Sequence, residues 1–306
     1  SSSSSSSFDH RLEHLKKQWD EAIATIIKEN NNNGDDDDDD DVCNKWFNDI
    51  VKRHSSNGTE IQGGEGDDDE EKKEARFYHT LVHLEEMLGY IDIFLNPIQD
   101  DTKQQQQQQD RAVLILSTFF HDVVYNAKSS TNEEDSAVLF RQFANDVLLL
   151  SASSSSNPLK CMHSTASTES NTTTTTTTTN TTANELVNRI ETYIIATKTH
   201  SAPSNYNNNN KHYKYYLHLF LDIDMSVLGK TSLAYDAYAY AIRQEYAFVP
   251  HDVYCTKRAD ILESFLQRDY IFNNVVMRGV LEGQCRDNLK REIGFLRKGV
   301  IPCIWT

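Results

Sequence analysis

Homopolymer and near-homopolymer tracts interrupt this chain at several points and limit how much of it can form a hydrophobic core. Such polar tracts cannot bury enough apolar surface to offset their ordering entropy. Without them, roughly 200 to 210 of the 306 residues remain, which is the size of one ordinary domain. The tracts are residues 1–7, 30–41, 104–109, 151–182 and 207–210.

The segments left over predict one folded domain with enlarged loops. We expect a disordered polar tail at residues 1–7 and a single helical domain over residues 8–306. Because the entropy of loop closure grows only logarithmically with length, a surface loop can gain about thirty residues where a helix interior cannot. Disordered insertions are therefore expected near residues 30–41, 54–73, 99–110, 151–183 and 201–212.

The charge of the chain argues against a nucleic-acid polymer as its partner. The chain has 46 Asp and Glu against 30 Lys and Arg, a net charge of −16. Twelve of the acidic residues lie in the runs 35–41 and 67–71, so the rest of the chain is nearly balanced. Binding to a phosphate backbone depends on Lys and Arg displacing counterions, and no basic stripe is present. A small charged substrate is compatible with this composition.

Cysteine usage and hydropathy indicate a soluble protein. The five cysteines are scattered without a Cys-x-x-Cys pair, which argues against a disulfide framework and a thiolate zinc site. No apolar run approaches the ~20 residues that span a bilayer, and no basic-then-apolar signal pattern opens the sequence. We therefore expect a cytoplasmic protein with no membrane partner. The sequence leaves open a targeting segment ahead of Ser1 and the oligomeric state.

Apolar residues recur at three- and four-residue steps, which is typical of amphipathic helices. No long segment alternates with period two, and 11 Gly and 5 Pro are too few to turn a β-sandwich. The sequence therefore predicts an all-α fold. Thr131-x-x-Glu134 is predicted to be a capping box, and Gly229 a helix stop. Helices are expected over residues 8–29, 42–53, 74–95, 111–125, 131–150, 184–198, 213–228, 232–248, 258–268 and 281–297.

Polar side chains occur at four places where an all-α core is normally apolar. They are the dipeptide His121-Asp122, the pair His79 and His83, the pair Asp222 and Asp224, and His200. His79 and His83 are four residues apart, so we expect both on one face of a helix. A buried dipeptide such as His121-Asp122 either satisfies itself by a hydrogen bond or binds a ligand. Imidazoles and carboxylates from separate helices build sites for Mn, Fe, Co, Ni, Zn or Mg.

These residues belong to five blocks, and their order resembles the HD superfamily of metal-dependent phosphohydrolases. The closest resemblance is to the predicted HD phosphohydrolase branch, and it extends from about Arg76 to Leu296. It implies an HD-domain-like helical bundle. It also implies metal-dependent hydrolysis of a phosphate ester in a small molecule, a phosphomonoester or a nucleotide, by metal-activated water. The blocks are Tyr78-His79 with His83, Phe120-His121-Asp122-Val123-Val124-Tyr125, Asn132-Glu133-Glu134 with Ser136-Ala137, Thr197-x-Thr199-His200, and the segment from Phe220 to Gly229.

The resemblance also implies a metal-binding set. The ligands are His79, His121, Asp122 and Asp224, and Asp222 is the alternative to Asp224 as the distal ligand. The resemblance does not distinguish Mn, Co, Ni, Fe, Mg and Zn. These ligands form three groups, the first His, the His-Asp dyad and the distal Asp, which with water leave open coordination positions, as a catalytic site requires.

Other residues near the blocks are candidates for catalysis and for binding a small phosphorylated substrate. They are Asp122, Glu133 and His83 for catalysis, and Arg76, Lys198 and His200 for binding the substrate. Glu133 and Glu134 either accept a hydrogen bond from metal-bound water or substrate, or only stabilise the N-terminus of the helix. His83 contacts substrate, stabilises the core or binds a second metal. Arg76 and Lys198 bind phosphate or are ordinary surface charges.

The same residues are compatible with two other functions. An HD-type di-iron oxygenase would use extra histidines between the dyad and the distal Asp, and His200 and His218 lie in that interval. His218 precedes Asp224 by six residues, which turns it about 240° away on a helix and disfavours this alternative. A non-catalytic metal- or nucleotide-binding scaffold would use the acidic and Gln tracts to recruit partners.

Overall fold

The computed structural model describes residues 2–30, 37–55, 75–95, 101–149, 173–203 and 210–301. Within these ranges every regular element is helical, which confirms the predicted all-α fold. None of the helices described has both the length and the apolarity that crossing a membrane requires. The helices are α1 (Ser2–Asn30), α2 (Asp37–His54), α3 (Leu81–Phe94), α4 (Asp101–Phe120), α5 (Asn132–Phe143), α6 (Thr173–Ala196), α7 (Lys211–Asp224), α8 (Ser232–Glu245), α9 (His251–Leu266) and α10 (Val275–Leu296).

The chain divides into two compact units, which are described separately here. The first unit comprises Ser1–Val51, Leu88–Val124 and Thr131–Ile195. The second unit comprises Lys52–Met87, Tyr125–Ser130 and Ala196–Thr306. That residues 8–306 form a single domain stays a prediction.

Several helices extend into segments predicted to be disordered. α1 begins at Ser2, α2 at Asp37, α6 at Thr173 and α7 at Lys211, so each includes part of a predicted tail or insertion. The physical reason is that adding a residue to an existing helix requires fixing only that residue, whereas starting a helix is costly. The other residues of the tracts 31–36, 56–73, 151–172 and 204–209 lie outside the described part of the chain.

The Gln tract is helical too, which differs from the insertion expected near residues 99–110. Gln is a good helix former, and the run 104–109 continues directly into the apolar part of α4. Asp110, the next residue, is fully buried and pairs with the buried Arg189 of α6 at 2.7 Å. This pair fixes the end of the tract within the first unit.

An aromatic cluster forms the core of the first unit. α1 packs against α4, and α4 packs against α5. Trp19 of α1 is fully buried, with its ring centroid 5.3 Å from that of Phe119 and 5.2 Å from that of Phe143. Phe47 of α2 joins the cluster 6.0 Å from Trp19. The cluster therefore supports the C-terminal end of α4, where the His121-Asp122 dipeptide follows.

The second unit is organised around α10. This helix packs against α8, against α9 and against the 3-10 helix Met225–Gly229 that follows α7. Asn274 caps α10, because its side chain accepts hydrogen bonds from the backbone N–H groups of Val276 and Met277. Gly229 ends the 3-10 helix as predicted, although its φ is not positive. Its small size is needed because α10 passes close to its Cα.

Replacing Gly229 tests this close approach. A Cβ atom at this position would lie 2.6 Å from Leu281 Cβ and 2.9 Å from the Leu281 carbonyl oxygen. We expect Gly229→Ala to lower the free energy of unfolding by about 2 kcal/mol in urea titrations, as overpacking does. Gly279→Ala in α10 is the control, because its Cβ would meet nothing within 4 Å, and it is expected to stabilise by about 0.5 to 1 kcal/mol. A Gly229→Ala protein as stable as the parent would contradict the packing described.

Candidate metal centre

The His121-Asp122 dipeptide of the first unit lies in the turn directly after α4. The His121 backbone N–H still donates to the Ser117 carbonyl, so the turn begins as a continuation of the helix. Nδ1 of the buried His121 ring lies 2.9 Å from the Thr118 carbonyl oxygen, and Nε2 lies 3.0 Å from Asp122 Oδ2. Because a carbonyl only accepts, Nδ1 carries the proton. Nε2 faces the Asp122 carboxylate, which also only accepts, so Nε2 either donates to Asp122 or binds a cation together with it.

The start of α5 holds this turn in place. The Ser136 hydroxyl accepts a hydrogen bond from the Val124 N–H at 3.1 Å and donates to the Val124 carbonyl oxygen at 3.3 Å. Glu133 is half-buried in the first turn of α5. Thr131 is the N-cap residue of α5 as predicted, but its side chain makes no capping hydrogen bond, because its hydroxyl donates to the Asp135 carboxylate at 2.8 Å.

In the second unit, the segment before α3 wraps around a buried carboxylate that the sequence analysis missed. Glu245 Oε1 accepts the backbone N–H groups of Phe77 and Tyr78 at 2.8 Å and of His79 at 3.2 Å. These N–H groups bond to the carboxylate instead of to helical carbonyls, so α3 begins only at Leu81. The helix predicted over residues 74–95 is therefore confirmed from Leu81 to Phe94, but its predicted start is wrong, and His79 does not share a helix face with His83.

The same carboxylate holds the His79 side chain. Glu245 Oε2 lies 2.7 Å from His79 Nδ1 and 2.7 Å from the Tyr125 hydroxyl, and the His79 and Tyr125 rings stack 4.2 Å apart. Burial raises the pKa of Glu245, but hydrogen bonds from His79, Tyr78 and Tyr125 outweigh it and lower the pKa to about 2. The carboxylate is thus ionised, and Nδ1 of His79 carries the donated proton. A carboxylate–histidine pair of this kind is typical of metal-binding histidines.

Because Glu245 has a depressed pKa, it is expected to make the fold sensitive to acid. A carboxyl group with a folded pKa of about 2 and an ordinary value of 4.5 stabilises the fold at higher pH. That stabilisation, about 3 kcal/mol, disappears as the pH falls from about 5 towards 2. We expect urea titrations of metal-free protein to show this loss. In Glu245→Gln the pH dependence should be smaller by that amount, and equal pH dependence would contradict the assignment.

Asp224 lies between two histidines of the second unit. His83 Nε2 lies 3.2 Å from Asp224 Oδ1, and His200 Nε2 lies 3.1 Å from Asp224 Oδ2. Asp222 is occupied differently, because its buried carboxylate accepts the backbone N–H groups of Asn273 and Asn274. Of the two aspartates, Asp224 therefore has the surroundings that suit a metal ligand, and Asp222 positions the N-terminus of α10.

The two aspartates should respond differently to the same substitution. Burial raises the pKa of Asp222 to about 6 despite the hydrogen bonds from Asn273 and Asn274. An amide would leave one of these donors without an acceptor. We expect Asp222→Asn to lower the free energy of unfolding by about 2 kcal/mol, and Asp224→Asn by less than about 1 kcal/mol, in urea titrations of metal-free protein. Equal losses would contradict the two different roles.

His200 also has an unusual backbone. Its φ of 47° lies in the left-handed region, which costs a residue with a side chain ~1 kcal/mol. The Arg268 guanidinium donates to the carbonyl oxygens of His200 and Thr199 at 3.1 and 3.2 Å, which holds this conformation. The strain is thus located at a residue whose ring contacts Asp224.

The cations predicted to bind phosphate have partners within the second unit. Arg76 is buried, donates to the His79 carbonyl oxygen at 3.3 Å and lies over the Tyr125 ring. Lys198 is exposed and donates to the Ser130 carbonyl oxygen at 2.7 Å. Each cation thus has a backbone carbonyl partner, and that Arg76 and Lys198 bind phosphate stays a prediction.

Each unit by itself offers an imidazole nitrogen beside a carboxylate, the donor set that suits borderline and hard divalent ions. In the first unit the donors are His121 and Asp122. In the second they are Asp224 and the histidines that contact it, His83 and His200. Comparison with protein-family models, curated proteins and solved structures found no match to this chain.

Proposed function

We propose that this chain is a metal-dependent phosphohydrolase of the HD type. In this proposal, the ligands of one divalent ion are those that the resemblance in sequence implies, His79, His121, Asp122 and Asp224. The substrate is a small phosphate ester, a phosphomonoester or a nucleotide. The ligand set follows the resemblance in sequence, and the His121–Asp122 contact and the His79–Glu245 pair support it.

The orientation of the His121 ring is the observation that supports the proposal most strongly. A buried imidazole next to a carboxylate needs either a hydrogen bond between the two groups or a ligand that both bind. Here His121 Nδ1 donates a hydrogen bond to the Thr118 carbonyl oxygen, and Nε2 lies beside Asp122. The Glu245 carboxylate gives His79 the same protonation state through Nδ1. In the proposal, both rings bind the ion through Nε2.

Several residues of the chain have distinct roles in the proposed hydrolysis. When bound, a divalent ion polarises a phosphoryl oxygen and lowers the pKa of a coordinated water towards ~7. The Asp122 carboxylate has two oxygens, so one can bind while the other orients a water and accepts its proton. His83 and His200 hold the Asp224 carboxylate in position. Glu245 keeps His79 in the protonation state that binding requires.

A di-iron oxygenase is the second candidate, because His200 contacts Asp224, as that alternative needs. The other histidine it would use, His218, lines a cleft of the second unit together with His200. Two irons per chain with oxygen consumption and no phosphate release would support this candidate.

The proposal is tested by removing metal with a chelator and adding back Mn, Co, Ni, Fe, Mg and Zn separately. We expect at least one of these ions to restore phosphate release from a panel of phosphomonoesters and nucleotides. Tight binding of a phosphate ester without turnover under every ion would overturn the proposal and support a non-catalytic scaffold.

A further inference from the structure

A cleft in the second unit opens beside His200. Its volume is about 550 Å³, within the range of small-molecule sites. Its polar lining comes from the loop after α6, from α7 and from the loop before α10. The titratable and aromatic residues of this lining are His200, Lys214, His218, Arg268, Asp269 and Tyr270.

Basic groups outnumber acidic ones in this cleft. Lys214 and His218 are four residues apart on α7 and therefore share one face of the helix. Arg268 lines the cleft from another element, and Asp269 is the only carboxylate in the lining. Among the described residues, no carboxylate forms an ion pair with Lys214 or Arg268. An anion bound in this cleft would therefore meet positive charges that are not already paired with a carboxylate.

The Arg268 guanidinium is anchored and still has donors to offer. Two of its five N–H groups bond to the carbonyl oxygens of His200 and Thr199. Burial lowers its pKa, which means that its charge is partly desolvated without a counter-charge. A bound anion would remove that penalty, and the fixed orientation of a guanidinium suits phosphate oxygens.

His218 is half-buried in the same cleft. Within the described part of the chain its ring has no hydrogen-bond partner. Burial and the positive charge of Lys214 lower its pKa. Near neutral pH it is therefore an uncharged imidazole, which can donate one hydrogen bond to a ligand oxygen.

We propose that this cleft binds a phosphate group of a small molecule, with Lys214 and Arg268 contacting the phosphate oxygens and His218 donating a hydrogen bond. His200 both lines the cleft and contacts Asp224, so the bound group lies next to the candidate metal ligand. The volume leaves room for an organic part of the molecule beside Tyr270, whose ring Arg278 covers at 3.7 Å. The claim that this cleft is the substrate site rests on the proposed function. The claim that the cleft binds an anion does not.

The test uses metal-free full-length protein and inorganic phosphate and pyrophosphate as probes, with binding measured by calorimetry. We expect saturable binding that Lys214→Ala weakens about 10-fold. Lys211→Ala, an exposed lysine at the start of the same helix that does not line the cleft, should change nothing. Arg268→Lys keeps a positive charge but loses the paired donors, and we expect it to weaken binding while urea titrations show the fold retained.

The outcomes separate this proposal from the proposed function. If neither probe binds, or if Lys211→Ala weakens binding as much as Lys214→Ala, the anion site is overturned. Phosphate release with an unchanged KM in Lys214→Ala would overturn the cleft as the substrate site and leave the hydrolase intact. Binding that depends on Lys214, in a protein that hydrolyses no ester under any metal, would support the anion site and overturn the hydrolase.

Discussion

Asp122→Asn is expected to lower the rate of metal-dependent phosphate release by at least about 1,000-fold, or ~4 kcal/mol of transition-state stabilisation. The amide removes the negative charge that holds a divalent ion, and it removes the oxygen that accepts a proton from the attacking water. Asp122 lies in a turn after α4 and is not part of the apolar core. The folded structure should therefore persist, which circular dichroism and urea titration would verify.

The matched control for this variant is Asp287→Asn. Asp287 is an exposed aspartate of α10, so the same chemical change should leave phosphate release within about two-fold of the parent. Combining His121→Ala with Asp122→Ala should abolish the metal-dependent rate. If Asp122→Asn turns over as fast as the parent with the same metal, the dyad does not take part in catalysis.

Glu245→Gln is expected to weaken metal binding by 10- to 100-fold, the usual range for the partner of a metal-binding histidine. Gln has only one acceptor oxygen, whereas Glu245 accepts from three backbone N–H groups, from His79 and from Tyr125. The His79 ring would lose its fixed protonation state and its orientation. Competition with a chromogenic chelator would measure the affinity for each metal that supports activity.

A merely structural role for Glu245 predicts something different. It would lower stability and leave the metal affinity of the remaining folded protein unchanged. Glu245→Asp, which keeps the charge, should recover part of the affinity, whereas Glu263→Gln on the exposed face of α9 should have no effect. Unchanged affinity in Glu245→Gln would show that His79 does not bind the metal.

Local periodicity was sufficient to predict the all-α fold. Each helix buries a stripe of apolar side chains, and the three- and four-residue spacing of that stripe is visible within a short segment of the sequence. The start of α3 could not be found this way, because it is set by Glu245, which is more than 160 residues away along the chain. The extension of the helices into the Ser, Thr and Gln tracts was also not predicted, because composition does not reveal how far a stable helix propagates.

The candidate site was predictable only in part. His121 and Asp122 stood out because they follow an apolar helix directly. The choice between Asp222 and Asp224 could not be made from the residues alone, since their difference lies in the backbone N–H groups that Asn273 and Asn274 offer to Asp222. Glu245 left a usable signal: it continues the buried stripe Tyr235, Ala239 and Ile242 of α8 at helical steps, where a carboxylate needs partners.

The metal content of the purified protein tests the central claim most directly. Elemental mass spectrometry of the parent protein, after metal removal and reconstitution, should find one divalent metal ion per chain. The same treatment of the combined His121→Ala and Asp122→Ala variant should find none, with the folded structure retained. Equal occupancy in both proteins, or no bound metal in the parent, would contradict the account and leave His121 and Asp122 as residues that only stabilise the turn after α4.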